Sequence, residues 1–582
     1  VTKKHEGVCG MSLALRGASR RLLSFCLGAP ALAVLLAACT TPDAPAPAAP
    51  TEAPAAAAAP VFGESSAGAY LAGRDAQARH DLPLASLYLL RALNADPENV
   101  ELLQRTTLAL ALEGRLDEAE AVAQRLGSFD EEATVPAMLL AERRAKQGDW
   151  AGVEAAVEHL PPRGLNNYLT PLVKAWAKAG QGDTDGALEM LAALDPKAGF
   201  GVLRDFNTAL IDDLAGRNEA AEAAYRATLA APAGHTLRTA ELVGDFLSRT
   251  GRAEEAKALA ASLHRDHPDL PQVTVGGPRP VANAADGLAE AFFGAAGTMR
   301  QGNAPDLALL FSRFALDLKP DFQLARLMAG DELAAMGQFR AGNEAYRRLP
   351  ESSPLYAAAQ LRIARNDEQL GDVDQAVRQL DGLIDHKIGQ TEALLALGDL
   401  YRRAHRWTDA VKAYDRALPL LQGTASEWPV LYARGVALER ANQWPRAEAD
   451  LLHALELQPN EPQVLNYLGY SWVEQGTNLA QATQMIEKAV LLRPSDGYIV
   501  DSLGWAFYRS GEYGRAVEML QRAVTLEPGD ATINDHLGDA LWSAGRQEEA
   551  RFQWQHALLS DPDPELRAQL DAKLKQQGKE TP

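Results

Sequence analysis

The 582-residue chain carries 57 Lys and Arg against 77 Asp and Glu, a formal net charge of -20. That balance excludes a sequence-independent nucleic-acid binder, whose affinity comes from neutralising phosphates. The acidic excess is spread along helical stretches, as at Asp117-Glu118 and Glu548-Glu549, where solvated faces would favour basic partners.

The first segment has Arg16, Arg20 and Arg21 ahead of an apolar run from Leu22 to Leu36, then Leu36-Ala37-Ala38-Cys39. A charged start, an apolar middle and small residues before a cut make a secretory signal over 1–38, and the run is too short to span a bilayer comfortably. Met11 is the expected natural start, because the positive segment begins there. The ending resembles the bacterial lipobox, which implies cleavage before Cys39 and lipid on its thiol. Cys9 and Cys26 would then be discarded, leaving no disulfide in the mature chain. Thr40 stands where inner-membrane lipoproteins commonly carry aspartate, so the resemblance implies an outer-membrane anchor with the rest of the chain in the periplasm. Residues 39–62 form a tether in which Thr40 to Pro60 is nearly all Pro, Ala and Thr, a stretch that extends at ~3.1 Å per residue to at most about 65 Å.

From there the chain repeats. Small residues recur at Gly73, Thr107, Ala141, Ala175, Ala209 and Gly244, then at Ala296, Gly330, Ala364, Gly398, Gly435, Gly469, Gly504 and Gly538; nine of the thirteen intervals are 34 residues. A second register lies about twelve residues later, at Ala85, Ala119, Val153, Ala187, Ala221, Ala256, Ala308, Gly342, Ala376, Ala410, Ala447, Ala482, Ala516 and Ala550. Two antiparallel helices approach to ~8–10 Å only where the crossing side chains are small, which demands one such residue in each helix. Proline follows many of the first anchors by 24 residues, at Pro97, Pro320, Pro459 and Pro528 among others, and separates one helical pair from the next. The stretch Leu503-Gly504-Trp505-Ala506-Phe507 through Ala516, Leu520, Ala523 and Pro528 resembles the tetratricopeptide repeat, a 34-residue helix-turn-helix unit.

The resemblance implies an all-α fold, a right-handed superhelical solenoid of antiparallel helix pairs with about 14 repeats in two blocks. The first block, 63–265, holds about six repeats, of which Thr107 and Val153 depart from the pattern. A Pro/Gly-rich break at 266–284 stretches one interval to 52 residues; it could bend the array into two surfaces or cover part of the groove. The second block, 285–562, holds about eight repeats. Leu566, Leu570 and Leu574 then make one apolar stripe, fitting a capping helix in 563–582.

Catalytic motifs are absent: there is no HExxH, P-loop, GxSxG, SxxK or CxxC, so no enzyme activity and no cofactor are expected. His264-Arg265-Asp266-His267 lacks further ligands for a metal, and His536 and His556 read as structural histidines inside repeats.

In a repeat superhelix the first helix of each pair lines the concave side. Counting from the anchors, its outward positions hold Tyr432 and Glu439, then Asn466, Tyr470 and Val473, then Tyr498, Asp501, Trp505 and Tyr508, then Asp535, Asp539 and Trp542. Tyr and Trp with polar tips suit a protein-binding groove. The competing reading is that Trp505 and Trp542 pack between neighbouring first helices and stiffen the array.

Leader, tether and repeats together resemble tetratricopeptide lipoproteins that act as adaptors for envelope enzymes, including those delivering peptidoglycan hydrolases to a carboxy-terminal processing protease. The expectation is a noncatalytic protein-protein scaffold on the periplasmic side of the outer membrane, with envelope proteins as partners, lipid as its membrane contact and no nucleic acid. The alternative is a structural subunit of a secretion, pilus or polysaccharide-export machine.

Overall fold

The computed structural model describes residues 65–194, 200–266 and 278–577. The signal at 1–38, Cys39 and the tether lie outside the described residues, as do 267–277 of the break and 578–582 of the tail. Among the described residues there are 29 α-helices and no strand. Consecutive helices pack in pairs, as in Gly497–Arg509 with Tyr513–Leu526 and Ala531–Ser543 with Gln547–Leu559.

The turn inside each pair has its own register. Left-handed residues sit at Gly114, Gly148, Gly182, Gly216 and Gly251, and again at Gly337, Gly371, Gly511 and Gly545, with His80, Asn303, His405 and Asn442 in the same place elsewhere. At Gly511 (φ 81°) the chain reverses and the Glu512 N–H donates to Phe507 O at 2.8 Å, closing the first helix. Glycine adopts this conformation without a Cβ penalty. Aspartate after the turn caps several second helices: Asp149 and Asp183 accept from the N–H of Gly152 and Gly186, each at 2.9 Å.

The anchors meet large side chains. A Cβ at Gly504 would lie 2.5 Å from Leu520 Cγ, at Gly469 2.7 Å from Ile486 Cγ1, and at Gly435 3.0 Å from Leu451 Cγ. Gly398 and Gly538 leave room in the same way for the rings of Tyr414 and Trp554. Ala410, Ala447, Ala482, Ala516 and Ala550 are fully buried in the second helices. Aromatic second-helix residues also reach back to an aspartate beside the anchor: Tyr346 Oη donates to Asp331 at 2.7 Å, Tyr414 Oη to Asp399 at 2.6 Å, and Trp554 Nε1 to Asp539 at 3.1 Å. These three pairs are thus closed by apolar burial plus one hydrogen bond worth about 1 kcal/mol net, the others by apolar burial at the crossing.

Two compact units result, the larger ending at Ala454 and the smaller starting at Leu455. Helices on both sides of the break at 266–284 belong to the larger unit. There the pair Ala284–Gln301 and Pro305–Leu318 turns back onto the first helices of earlier pairs, Val100–Glu113, Thr134–Lys146, Asn166–Gly180 and Gly201–Leu214. Gly287 makes this possible, since a Cβ would enter the ring of the fully buried Trp176, whose Nε1 donates to Asn207 Oδ1 at 2.9 Å. Polar seats flank the apolar contact: Arg143 and Lys146 each reach Asp317 at 2.7 Å, Arg238 grips the buried Glu290, and Arg279 binds Asp213 at 3.0 Å. The inward face of these early pairs is therefore filled by the chain's own helices.

In the smaller unit the final helix, Pro564–Gln577, packs on Gln547–Leu559 and buries Leu566 and Leu570.

Candidate protein-binding face

The first helices of the smaller unit, Pro462–Gln475, Gly497–Arg509 and Ala531–Ser543, carry most of the nominated groove residues. Their side chains form a ladder from each first helix to the next. Trp505 Nε1 donates to Glu474 Oε1 at 2.6 Å, and Arg509 Nη1 lies 3.3 Å from the same oxygen. The Trp505 ring stacks on His536 (centroids 4.1 Å apart, 17° between planes) and on Tyr508 (4.7 Å, 19°). His536 Nδ1 contacts both Asp501 oxygens, at 2.9 and 3.0 Å. One step further, Lys573 of the final helix reaches Asp535 and Asp539, each at 2.6 Å.

Burial by itself would lower the His536 pKa, but the Asp501 carboxylate, helped by Asp535 and Asp539, holds it above the ordinary histidine range. Burial first, and then the charges of Glu474 and Asp501, push the Tyr470 hydroxyl up. His536 with Asp501 has the composition of an acid–base dyad, yet the ring is buried under Trp505, where a substrate could not reach it.

This geometry corrects part of the groove expected from sequence. Tyr432, in the larger unit, and Asp501 and Asp535 are buried instead of facing solvent. Asp539 is held by Trp554 and Lys573. Trp505 is half-buried with both faces stacked, and Trp542 lies half-buried against Trp554 at 5.6 Å. Adjacent first helices come close enough to share Asp501 and Trp505, which serve stacking between pairs, whereas Asp539 and Trp542 turn to Trp554 of their own pair. Asn466 is half-buried, its Oδ1 buried without a hydrogen bond among the described residues. Tyr498 is 44% exposed and Tyr508 half-buried, and these two present aromatic surface to solvent. Glu474, Arg509, His536 and Lys573 were not nominated. Spacing carried the missed signal, because Glu474–Arg509 spans 35 residues, the anchor interval from Gly469 to Gly504, and Asp501–His536 spans 35, one more than the interval from Gly504 to Gly538.

Among the described residues no group of three or more His, Cys, Asp or Glu side chains could hold a metal, and no helix is long and apolar enough to cross a membrane. The Asp266 side chain and His267 lie outside the described residues.

Residues 361–425, 432–497 and 502–566 match the family model for the tetratricopeptide repeat. These stretches are tetratricopeptide repeats. A TPR repeat-containing protein of Pseudomonas aeruginosa is 29% identical over 161 residues, 27% of this chain and 26% of that protein. The cellulose synthase operon protein C of Pseudomonas fluorescens is 24% identical over 280 residues, 42% of this chain and 22% of that protein. The alignments thus span about a quarter of the length of these curated relatives. Among solved structures, the APC/C hetero-tetramer Cut9–Hcn1 aligns with 88% of this chain and 96% of its own at 15% identity and a TM-score of 0.35. A tetratricopeptide repeat protein of Parabacteroides merdae aligns with 49% of this chain and 97% of its own at 14% identity and a TM-score of 0.34.

Proposed function

We propose that the protein is a noncatalytic scaffold for envelope proteins, anchored to the outer membrane through lipid on Cys39 and working in the periplasm. The observation that supports this reading is the contrast between two first-helix faces. That of the early pairs is filled by Ala284–Gln301 and Pro305–Leu318, whereas that of the smaller unit ends in the exposed Tyr498 and half-buried Tyr508 beside the acidic ladder. Aromatic side chains with polar tips next to carboxylates suit a client segment carrying basic and apolar residues.

The test is affinity purification of the lipidated chain from membranes, compared with Tyr498→Ala/Tyr508→Ala. A periplasmic enzyme recovered with the parent and lost with the variant, at equal helicity, supports the scaffold; equal recovery with both removes this face from the reading. For the anchor, Cys39→Ser should abolish fatty-acid labelling and release the chain into the soluble fraction. Labelling that survives the substitution rejects Cys39 as the acceptor.

A second reading, a fixed subunit of a polysaccharide-export machine, is motivated by the match to cellulose synthase operon protein C. Co-purification with membrane-embedded export components at constant ratio would favour it over reversible client capture.

A further inference from the structure

The last rung of the ladder is closed by a cation from the chain itself. Lys573 Nζ lies 2.6 Å from both Asp535 and Asp539, carboxylates one turn apart on Ala531–Ser543, and 5.8 Å from the ring centre of Trp554. Trp554 Nε1 donates to the same Asp539 oxygen at 3.1 Å, which holds the ring beside the ammonium. With the lysine seated, Asp535 is buried and Asp539 half-buried. Burial by itself would lower the Lys573 pKa, but the two aspartates hold it above the ordinary lysine range, so the seat contains a full positive charge.

The helix that delivers this cation is lightly attached. Lys573 stands 34 residues after Asp539, so Pro564–Gln577 takes the place of a further first helix and its lysine the place of the next rung. Over 564–575 it buries only Leu566 and Leu570, whereas Ala531–Ser543 buries Ile533, Leu537, Ala540 and Leu541. An element with few buried apolar contacts opens at less cost than the pair it covers. Its charged contact is also exchangeable in kind, because a lysine from outside offers the same group to the same two carboxylates and the same ring.

We propose that Pro564–Gln577 is a displaceable strap, in which Lys573 occupies the carboxylates of Asp535 and Asp539 that receive a lysine side chain of a basic client segment. The inference rests on the scaffold reading and adds the partner chemistry and the control of one end of the same face. A client binds there by exchanging its ammonium for Lys573, so the strap lowers the apparent affinity by the fraction of time it is closed.

The experiment follows backbone hydrogen exchange of the full chain as tetralysine is added at constant ionic strength, with binding heat read in parallel. In the parent, tetralysine should speed exchange over Pro564–Gln577 saturably and leave Ala531–Ser543 and Gln547–Leu559 protected. Lys573→Met keeps the apolar stem and removes the competing charge, so it should bind tetralysine about tenfold more tightly or better, whereas Lys573→Arg keeps the charge and should match the parent. Asp535→Asn/Asp539→Asn should abolish the response. The proposal is overturned if the parent's terminal helix exchanges no faster with tetralysine, or if Lys573→Met folds and binds no more tightly than the parent. It is also overturned if the response survives in Asp535→Asn/Asp539→Asn, which would make it a general attraction to an acidic chain. Should Lys573→Met fail to fold, the exchange of the parent decides. Failure of the strap leaves the scaffold standing or falling on client capture by Tyr498→Ala/Tyr508→Ala, in which tetralysine plays no part.

Discussion

Glu142 links a buried proton to the seating of one helix pair on another. Its carboxyl group is fully buried on Thr134–Lys146, with neither oxygen accepting a hydrogen bond from an N–H or hydroxyl among the described residues, and it neighbours Asp317 of Pro305–Leu318. Asp317 is claimed by Arg143 and Lys146. Burial, then the charge of Asp317, push Glu142 up to about 9, while Asp317 falls below its ordinary range despite burial, because Lys146 and the Glu142 proton hold its charge. The two carboxyls therefore share one proton, carried by Glu142.

The folded pKa of Glu142 is raised above its unfolded value of 4.5, so folding takes up a proton between pH 4.5 and about 9. Stability from this group is intact below pH 4.5 and declines as pH rises through that window, by about 1.4 kcal/mol per unit. At pH 7.5 the accumulated penalty is about 4 kcal/mol, from three units of that slope. Glu142→Gln has nearly the same shape and no proton to take up. It should unfold with a flatter pH profile and gain on the order of 3–4 kcal/mol over the parent near pH 7.5, with little difference near pH 4.5. Urea unfolding followed by tryptophan fluorescence and circular dichroism between pH 4.5 and 8.5 measures this. Parallel profiles for parent and variant, or a variant less stable at pH 8, would refute the shared-proton reasoning.

Other substitutions probe the remaining contacts. Gly287→Leu places a side chain inside the Trp176 ring and should unseat Ala284–Gln301, lowering the stability of the larger unit by about 3 kcal/mol or more with a red-shifted tryptophan emission. Trp505→Ala removes two stacked faces and the bond to Glu474, so the smaller unit should lose about 2–4 kcal/mol in urea titrations; a loss below 0.5 kcal/mol, with binding abolished, would make Trp505 a contact residue instead. His536 has a raised folded pKa, so its contribution is fully present below the unfolded value of 6.5 and is lost as pH rises through the folded one. His536→Gln should remove that decline, which unfolding curves from pH 5.5 to 9 would detect.

How far the sequence reached depended on the range of the interaction. Pairing within a repeat is local: Gly504 must be small because Leu520, sixteen residues on, lies against it, and such demands recur with the repeat. The turn register from Gly114 to Gly545, seven residues after each anchor, repeats in the same way but went unread; left-handed backbone favours Gly or Asn there, with His405 the exception. The ladder was half visible. The residue types at Tyr470, Asp501 and Trp505 stood out, but whether they faced solvent or the next helix depended on how closely successive pairs stack.

Helices Ala284–Gln301 and Pro305–Leu318 mark the limit. Ala296 and Ala308 keep the repeat register, so by sequence they form an ordinary pair. Their seating depends on Gly287 meeting Trp176, Glu290 meeting Arg238 and Asp317 meeting Arg143, none of which periodicity can match, since the partners lie 52 to 174 residues apart and recur nowhere else. The amino-acid order by itself determined the helical pairs and their small-residue crossings, because each is a contact between neighbours. Only the tertiary structure decided which faces remained open, because that depends on surfaces brought together from distant parts of the chain.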